Sequence, residues 1–151
     1  MEISISQQTK TIEKLIKFKQ ERPELPIVSM VDGEIVFDNY AYYLGAFANV
    51  MLDEIAFYGE KVYTNRNDFI EDYYDFNDDW ICEAFNYKPF ICEYTYEQGK
   101  CTKEEFETNN EASKKVDEYL EEVADKYFRE AIIMYIEQPD YDIQNQLKII
   151  D

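Results

Sequence analysis

Apolar positions recur with helical spacing in the first part of the chain. Residues 6–22 open on Ser6 and carry Thr11, Ile12, Leu15, Ile16 and Phe18 among lysines, which predicts an amphipathic helix with a serine cap. The helix should stop before Pro23, because the residue ahead of a proline is pushed out of helical geometry. After Pro26 the pattern changes to "IVSMV", a run with strand propensity, and Asp32-Gly33 separates it from "EIVF". An Asp-Gly pair between two such runs predicts a hairpin, since a type I′ turn needs positive φ at both central residues. Residues 40–58, "YAYYLGAFANVMLDEIAFY", fit two templates. Leu44, Phe47, Ala48, Met51, Leu52 and Ile55 would share one helix face. The tyrosine-rich run, followed by Gly59-Glu60 and "KVYT", reads instead as strand, turn and strand. We take the strand reading, with breaks near Gly45 or Asn49.

Residues 67–80, "NDFIEDYYDFNDDW", are clearer. Asn65 or Asn67 can cap a helix there. Phe69, Tyr73, Phe76 and Trp80 recur at helical steps and form an apolar stripe, which predicts that these aromatics are core. Asp68, Asp72, Asp75 and Asp79 recur with the same steps one residue behind, as an acidic stripe on the flank. After "NYKP", the run "FICEYTY" reads as a strand with Phe90, Cys92 and Tyr94 on one face. Thr102-x-x-Glu105 is a capping box. The chain then reads as helix to Arg129, at least from Glu111, with Val116, Tyr119, Leu120, Val123 and Tyr127 as its apolar face. "AIIMYI" at 131–136 is too continuously apolar for a surface helix and is taken as a buried strand. The tail after Pro139 is read as irregular. These elements predict a single α+β domain over residues 1–151, with a small antiparallel sheet built from hairpins and packed with two or three helices.

Composition supports a folded chain. With 151 residues, 46% hydrophobic and 17% aromatic, it can bury a core and is not a disordered polyanion. The net charge of −18 argues against direct binding of nucleic acid or of an anionic membrane surface, and favours a basic protein surface. Residues 1–37 are nearly neutral, so the negative field belongs to residues 38–151. Charge that only keeps an aromatic-rich domain soluble is the plainer account. No stretch is long enough to span a membrane and Met1 to Lys10 lacks an apolar signal core, so a cytoplasmic protein is expected. Cys82, Cys92 and Cys101 are odd in number and widely spaced, which fits incidental thiols better than a disulfide framework or a zinc site.

Chemistry narrows further. The chain has no histidine, which removes the commonest general base and metal ligand. Its four glycines are isolated, so no glycine-rich phosphate loop is present. Asp75, Asn77 and Asp79 match the opening ligands of a calcium loop. Trp80 stands where the turn requires glycine, and Asn86 where the bidentate glutamate belongs. No catalytic residue, metal or cofactor is therefore expected, and carboxylate pairs among 33 acids carry no specificity. What remains is the acidic helix. Residues 67–80 hold Asp68, Glu71, Asp72, Asp75, Asp78 and Asp79 and no lysine or arginine. Like charges at helical spacing cost a few tenths of a kcal/mol per pair. A row of carboxylates roughly 4.5 to 6 Å apart along the axis coarsely imitates a row of phosphates, which advance about 3.4 Å per nucleotide. A later acidic set, Glu111, Glu118, Glu121, Glu122 and Asp125, is mixed with Lys114, Lys115 and Lys126 and reads as a solvated face.

"LPIVSMVDGEIV", the "YYLGAF" run and the acidic helix together resemble uncharacterised small acidic proteins of phages and mobile elements of Gram-positive bacteria. Small acidic proteins of that setting include antirestriction DNA mimics and anti-CRISPR proteins. By that analogy the resemblance implies a non-enzymatic inhibitor, acting in the host bacterial cytoplasm on a basic surface of a nucleic-acid-handling defence nuclease. The six carboxylates from Asp68 to Asp79 are the partner-binding candidates. The alternative is a non-catalytic interaction or assembly protein that forms an oligomer through its aromatic-rich strands.

Overall fold

The computed structural model describes residues 3–32 and 44–147. In chain order these form α1 (Ile5–Glu21), β1 (Ile27–Val31), β2 (Ala46–Tyr58), β3 (Lys61–Tyr63), α2 (Arg66–Phe85), α3 (Glu93–Glu97), α4 (Lys103–Tyr127), β4 (Arg129–Glu137) and α5 (Tyr141–Leu147). The protein is α+β, with a four-stranded sheet in the order β1-β4-β2-β3. The sheet is mixed rather than wholly antiparallel. Strand β1 runs parallel to β4, with Ile27 opposite Ile132 and Val31 opposite Ile136, while β2 pairs antiparallel with β3. Five helices, not two or three, occur among the described residues.

The chain packs as two compact units, one of Met1–Glu54 with Glu130–Asp151 and one of Ile55–Arg129. In the first, α1 is capped by Ser4, two residues ahead of the expected Ser6. Ser4 Oγ accepts from the Gln7 N–H at 3.2 Å and Gln7 Oε1 accepts from the Ser4 N–H at 2.8 Å, so two orphan donors are satisfied reciprocally. The helix ends at Glu21, ahead of Pro23. Leu15 and Phe18 pack on Leu25, Val50, Ile132 and Met134. Polar groups of α1 also tie it to β2: Thr11 Oγ1 donates to the Ala48 carbonyl at 3.1 Å and Gln8 Oε1 accepts from the Phe47 N–H at 3.0 Å.

Strand β4 is the "AIIMYI" run, and Ala131 to Met134 are all buried, as suits a strand covered on both faces. Gly45 stands just ahead of β2, where a Cβ would lie 2.5 Å from Ile136 Cγ2; only glycine permits that approach. Of the two expected breaks, near Gly45 or Asn49, the second does not occur: β2 starts at Ala46, just after Gly45, and continues through Asn49 to Tyr58. Gly33 of the expected Asp32-Gly33 turn and "EIVF" fall outside the described residues. In the tail after Pro139, residues 141–147 are helical, not irregular. Asp140 caps α5, its Oδ1 accepting from the Ile143 N–H at 3.1 Å and its carbonyl from the Gln144 N–H at 3.2 Å.

In the second unit, β2 turns into β3 through Gly59-Glu60, with Gly59 at φ +64°, as the turn chemistry predicts. Thr102 and Glu105 form the capping box that starts α4. Helices α2 and α4 pack through Ile81, Val116 and Leu120. A neighbouring cluster joins Phe69 to Ala56, Tyr63, Val123, Ala124 and Phe128. "FICEYTY" is not a strand. Thr95 Oγ1 donates to the Phe90 carbonyl at 2.7 Å and accepts from the Cys92 N–H at 3.4 Å, and this local bonding winds residues 93–97 into α3. Phe90, Cys92 and Tyr94 are all exposed.

Candidate functional site

Helix α2 begins at Asn65, whose Oδ1 accepts from the N–H groups of Asn67 at 2.8 Å and Asp68 at 3.2 Å. It ends at Asn86, which takes the left-handed conformation at φ 51° and closes the last turn onto Cys82 and Glu83. The helix therefore runs five residues beyond the expected end at Trp80. Its inward face is set by α4. Phe69 and Ile81 are fully buried, and Ile70, Tyr73 and Tyr74 are half-buried against the same clusters.

The apolar stripe is therefore corrected at two positions: Phe76 is 75% exposed and Trp80 44%. The buried arc passes through Ile70, Asn77 and Ile81, rotated by about one residue from the row 69, 73, 76, 80. Asn77, a polar residue, sits in that arc because its amide is satisfied. Its Nδ2 donates to Tyr58 Oη at 2.9 Å and to the Tyr73 carbonyl at 2.8 Å, and its Oδ1 accepts from Trp80 Nε1 at 2.9 Å.

The six candidate carboxylates all lie on the side of α2 away from that arc, but they are not equivalent. Asp68, Glu71, Asp75, Asp78 and Asp79 are exposed, and among the described residues none of the five is in a salt bridge. Asp72 is half-buried and engaged. Its Oδ2 accepts from Tyr63 Oη at 2.6 Å and from Lys61 Nζ at 3.0 Å. Those bonds, the Tyr63 phenol first and then Lys61, hold the Asp72 carboxyl below the usual carboxylate range. The same bond, followed by desolvation, pushes the Tyr63 phenol up to about 12. Asp72 thus clamps α2 to β3, a role its place in the acidic row did not suggest.

The nearest cation in the sequence, Arg66, is turned to α4, where its Nη2 meets Glu121 Oε2 and Asp125 Oδ1, each at 2.8 Å. Two members of the later acidic set thereby share one cation, and Glu111 lies beside Lys114 at 3.6 Å. The five exposed acids of α2 have no such compensation. Mixed charge along α4 and unbroken negative charge along α2 after Arg66 distinguish the two helices electrostatically.

The remaining features are less suggestive. Among the described residues no group of three or more acids, cysteines or histidines is placed to hold a metal ion, and no helix is long and apolar enough to cross a membrane. A hollow of about 190 Å³ lies beside Asn109. That buried amide is already bonded to the Lys88 backbone and to the Ile91 carbonyl. All three cysteines are free. Cys82 is half-buried with its Sγ 3.4 Å from Tyr74 Oη, and Cys92 is exposed.

No family model, curated protein or solved structure matches the chain.

Proposed function

We propose that the protein is a binding protein whose α2 face engages a basic surface of a nucleic-acid-handling defence nuclease and blocks it by imitating a phosphate row. The observation that carries this reading is the arrangement of Asp68, Glu71, Asp75, Asp78 and Asp79. All five are exposed on one side of one helix, and none is neutralised by a described cation. Such a face draws a basic partner by long-range attraction, which acts on association rate and weakens with salt. The helix is braced from behind by α4 and by the Asp72 clamp, so the carboxylates are presented on a rigid element. The resemblance to small acidic proteins of phages and mobile elements points to the same class of partner, in the cytoplasm of the host cell.

The test is restriction of unmodified phage and RNA-guided cleavage in bacterial cells expressing the protein. The wild-type chain should raise phage survival against a susceptible defence system. A variant with Asp68, Asp75, Asp78 and Asp79 changed to Asn and Glu71 to Gln should not. Equal protection by the two proteins would remove the charge argument.

A second reading is favoured by a separate observation. Strand β2 exposes Phe47, Met51, Leu52 and Phe57, and large apolar side chains of this kind are enriched at protein interfaces. A homo-oligomer or assembly protein would use that strand. Its association would be insensitive to salt in sedimentation experiments, and the five-carboxylate variant would assemble as the wild type does.

A further inference from the structure

We infer that the flank of α2 formed by Phe76 and Trp80 receives arginine side chains of the protein partner. Each guanidinium stacks on a ring face and pairs with a carboxylate of the adjoining acidic row. The inference rests on the function proposed above and names the chemistry that surface selects.

Both rings are exposed, yet neither is loose. Phe76 has one edge against Tyr58, with centroids 6.0 Å apart and planes at 62°. Trp80 meets Tyr119 at 5.8 Å and 81°, and its indole N–H is bonded to Asn77. Each ring is thus steadied on one side, which lowers the side-chain entropy lost when a partner binds. The two residues are four apart on one helix, so they lie on the same side about 6 Å apart along the axis. Asp79 follows Phe76 by three residues. Glu83 likewise follows Trp80 by three residues, the spacing at which helix side chains are neighbours, and both carboxylates are exposed. The aromatic flank and the acidic row therefore share an edge along the length of the helix.

Elsewhere the protein supplies its own cations to rings that are buried or half-buried. Lys14 lies over Phe18 at 5.6 Å, Lys61 over Tyr63 at 4.9 Å, and Arg66 over Phe128 at 5.7 Å. Among the described residues no cation stands over Phe76 or Trp80. An aromatic pair bordered by anions attracts a cation from outside, and charge complementarity excludes an acidic occupant. Arginine suits the edge better than lysine. Its planar, weakly hydrated guanidinium stacks on a ring and still offers a fork of donors to a carboxylate, whereas an ammonium is a compact and strongly hydrated point charge.

The experiment compares oligoarginine and oligolysine peptides of equal length, titrated by calorimetry into the full chain at physiological salt. Trp80 is the only tryptophan, so its emission reports contact in the wild type. The wild type should bind the arginine peptide roughly five- to tenfold more tightly, as expected for stacking on exposed rings. Phe76→Leu should reduce that preference, and Phe76→Leu with Trp80→Leu should abolish it, with affinity for the lysine peptide nearly unchanged. Circular dichroism establishes that each variant is folded, and Phe76→Leu, at the more exposed position, keeps the test decisive should the double variant unfold. A wild-type preference near one, or a preference unchanged in folded Phe76→Leu, overturns the inference and leaves the acidic-face reading standing. The five-carboxylate variant separates the two: it should weaken both peptides. If it binds both as tightly as the wild type does, the acidic-face reading fails, and the inference that rests on it fails with it.

Discussion

Tyr63 donates its phenolic hydrogen to Asp72 Oδ2 at 2.6 Å, and this single bond divides the acidic helix into one carboxylate that serves the fold and five that face outward. Lys61 joins the same oxygen at 3.0 Å and lies over the Tyr63 ring. The β2–β3 hairpin is thereby fastened to α2.

The pH dependence follows in direction. The folded protein holds Asp72 below the ordinary carboxylate value. Its contribution to stability is present above that ordinary value, near 4, and is lost as pH falls through the lower folded value. Tyr63 is raised from 10.0 to about 12. Its contribution is complete below pH 10 and is lost as pH rises toward 12. Tyr63→Phe removes the phenol's effect and the larger of the two bonds that lower Asp72, leaving the Lys61 bond. Thermal melts should show the variant less stable at neutral pH, with the gap to wild type narrowing at each extreme. Melting curves that stay parallel from acid to alkali would contradict the clamp.

The rotation of α2 predicts unequal costs for similar truncations. Phe69 is fully buried between β3, α4 and Phe128, so Phe69→Ala should destabilise by about 3 to 5 kcal/mol, as for other core aromatics. Phe76→Ala should change stability by within about 0.5 kcal/mol, as most surface substitutions do. Denaturant unfolding of the two variants measures both. Equal losses would restore the apolar row 69, 73, 76, 80 as the buried one.

That row shows what the sequence could and could not disclose. Strand β4 was legible because six apolar residues in succession have nowhere to sit except indoors. The β2–β3 turn was legible because Gly59-Glu60 specifies its own backbone. The existence of α2 was legible too, and so was its outward acidic side. Its exact facing was not, since Phe69-Tyr73-Phe76-Trp80 and Ile70-Tyr73-Asn77-Ile81 are both plausible rows one residue apart. Contact with Val116 and Leu120 on α4 decides between them, and that is a tertiary fact. Asn77 hid the row because a half-buried amide looks polar until its three partners are known. The parallel pairing of β1 with β4 joins distant parts of the chain and leaves no turn signal. For α3 and α5 the signals were local but polar: Thr95 and Asp140 bond to nearby backbone and overrule strand propensity in one case and a proline stop in the other. The Asp72 clamp depended on two residues of β3 being brought under α2, which spacing within the helix cannot reveal.

Gly45 offers a test of the approach to β4. An alanine Cβ would lie 2.5 Å from Ile136 Cγ2, so Gly45→Ala should destabilise the protein by about 1 to 3 kcal/mol through overpacking. Ile136→Ala deletes the opposing methyl and should itself be destabilising. The double variant should lose less than the two single variants together, because the clash and the vacancy offset each other. Strict additivity in unfolding experiments would place the strain elsewhere.

The division among the acids of α2 predicts two opposite phenotypes from chemically similar substitutions. Asp72→Asn keeps the side chain's size but removes the charge that Lys61 and Tyr63 bond to. It should lower the melting temperature while leaving affinity for a basic partner nearly unchanged, since Asp72 is already neutralised by Lys61. Changing Asp68, Asp75, Asp78 and Asp79 to Asn and Glu71 to Gln should do the reverse. Stability should hold or rise slightly, because each like-charged pair at helical spacing is worth a few tenths of a kcal/mol of repulsion. Partner affinity should fall, chiefly through slower association, and what binding remains should depend less on salt. Both properties can be read on the same samples, from thermal melts and from association rates to an oligoarginine surface at low and high salt. If Asp72→Asn slowed association as much as the loss of an exposed carboxylate does, the acidic helix would be acting as an undivided charge rather than as a clamp and a face.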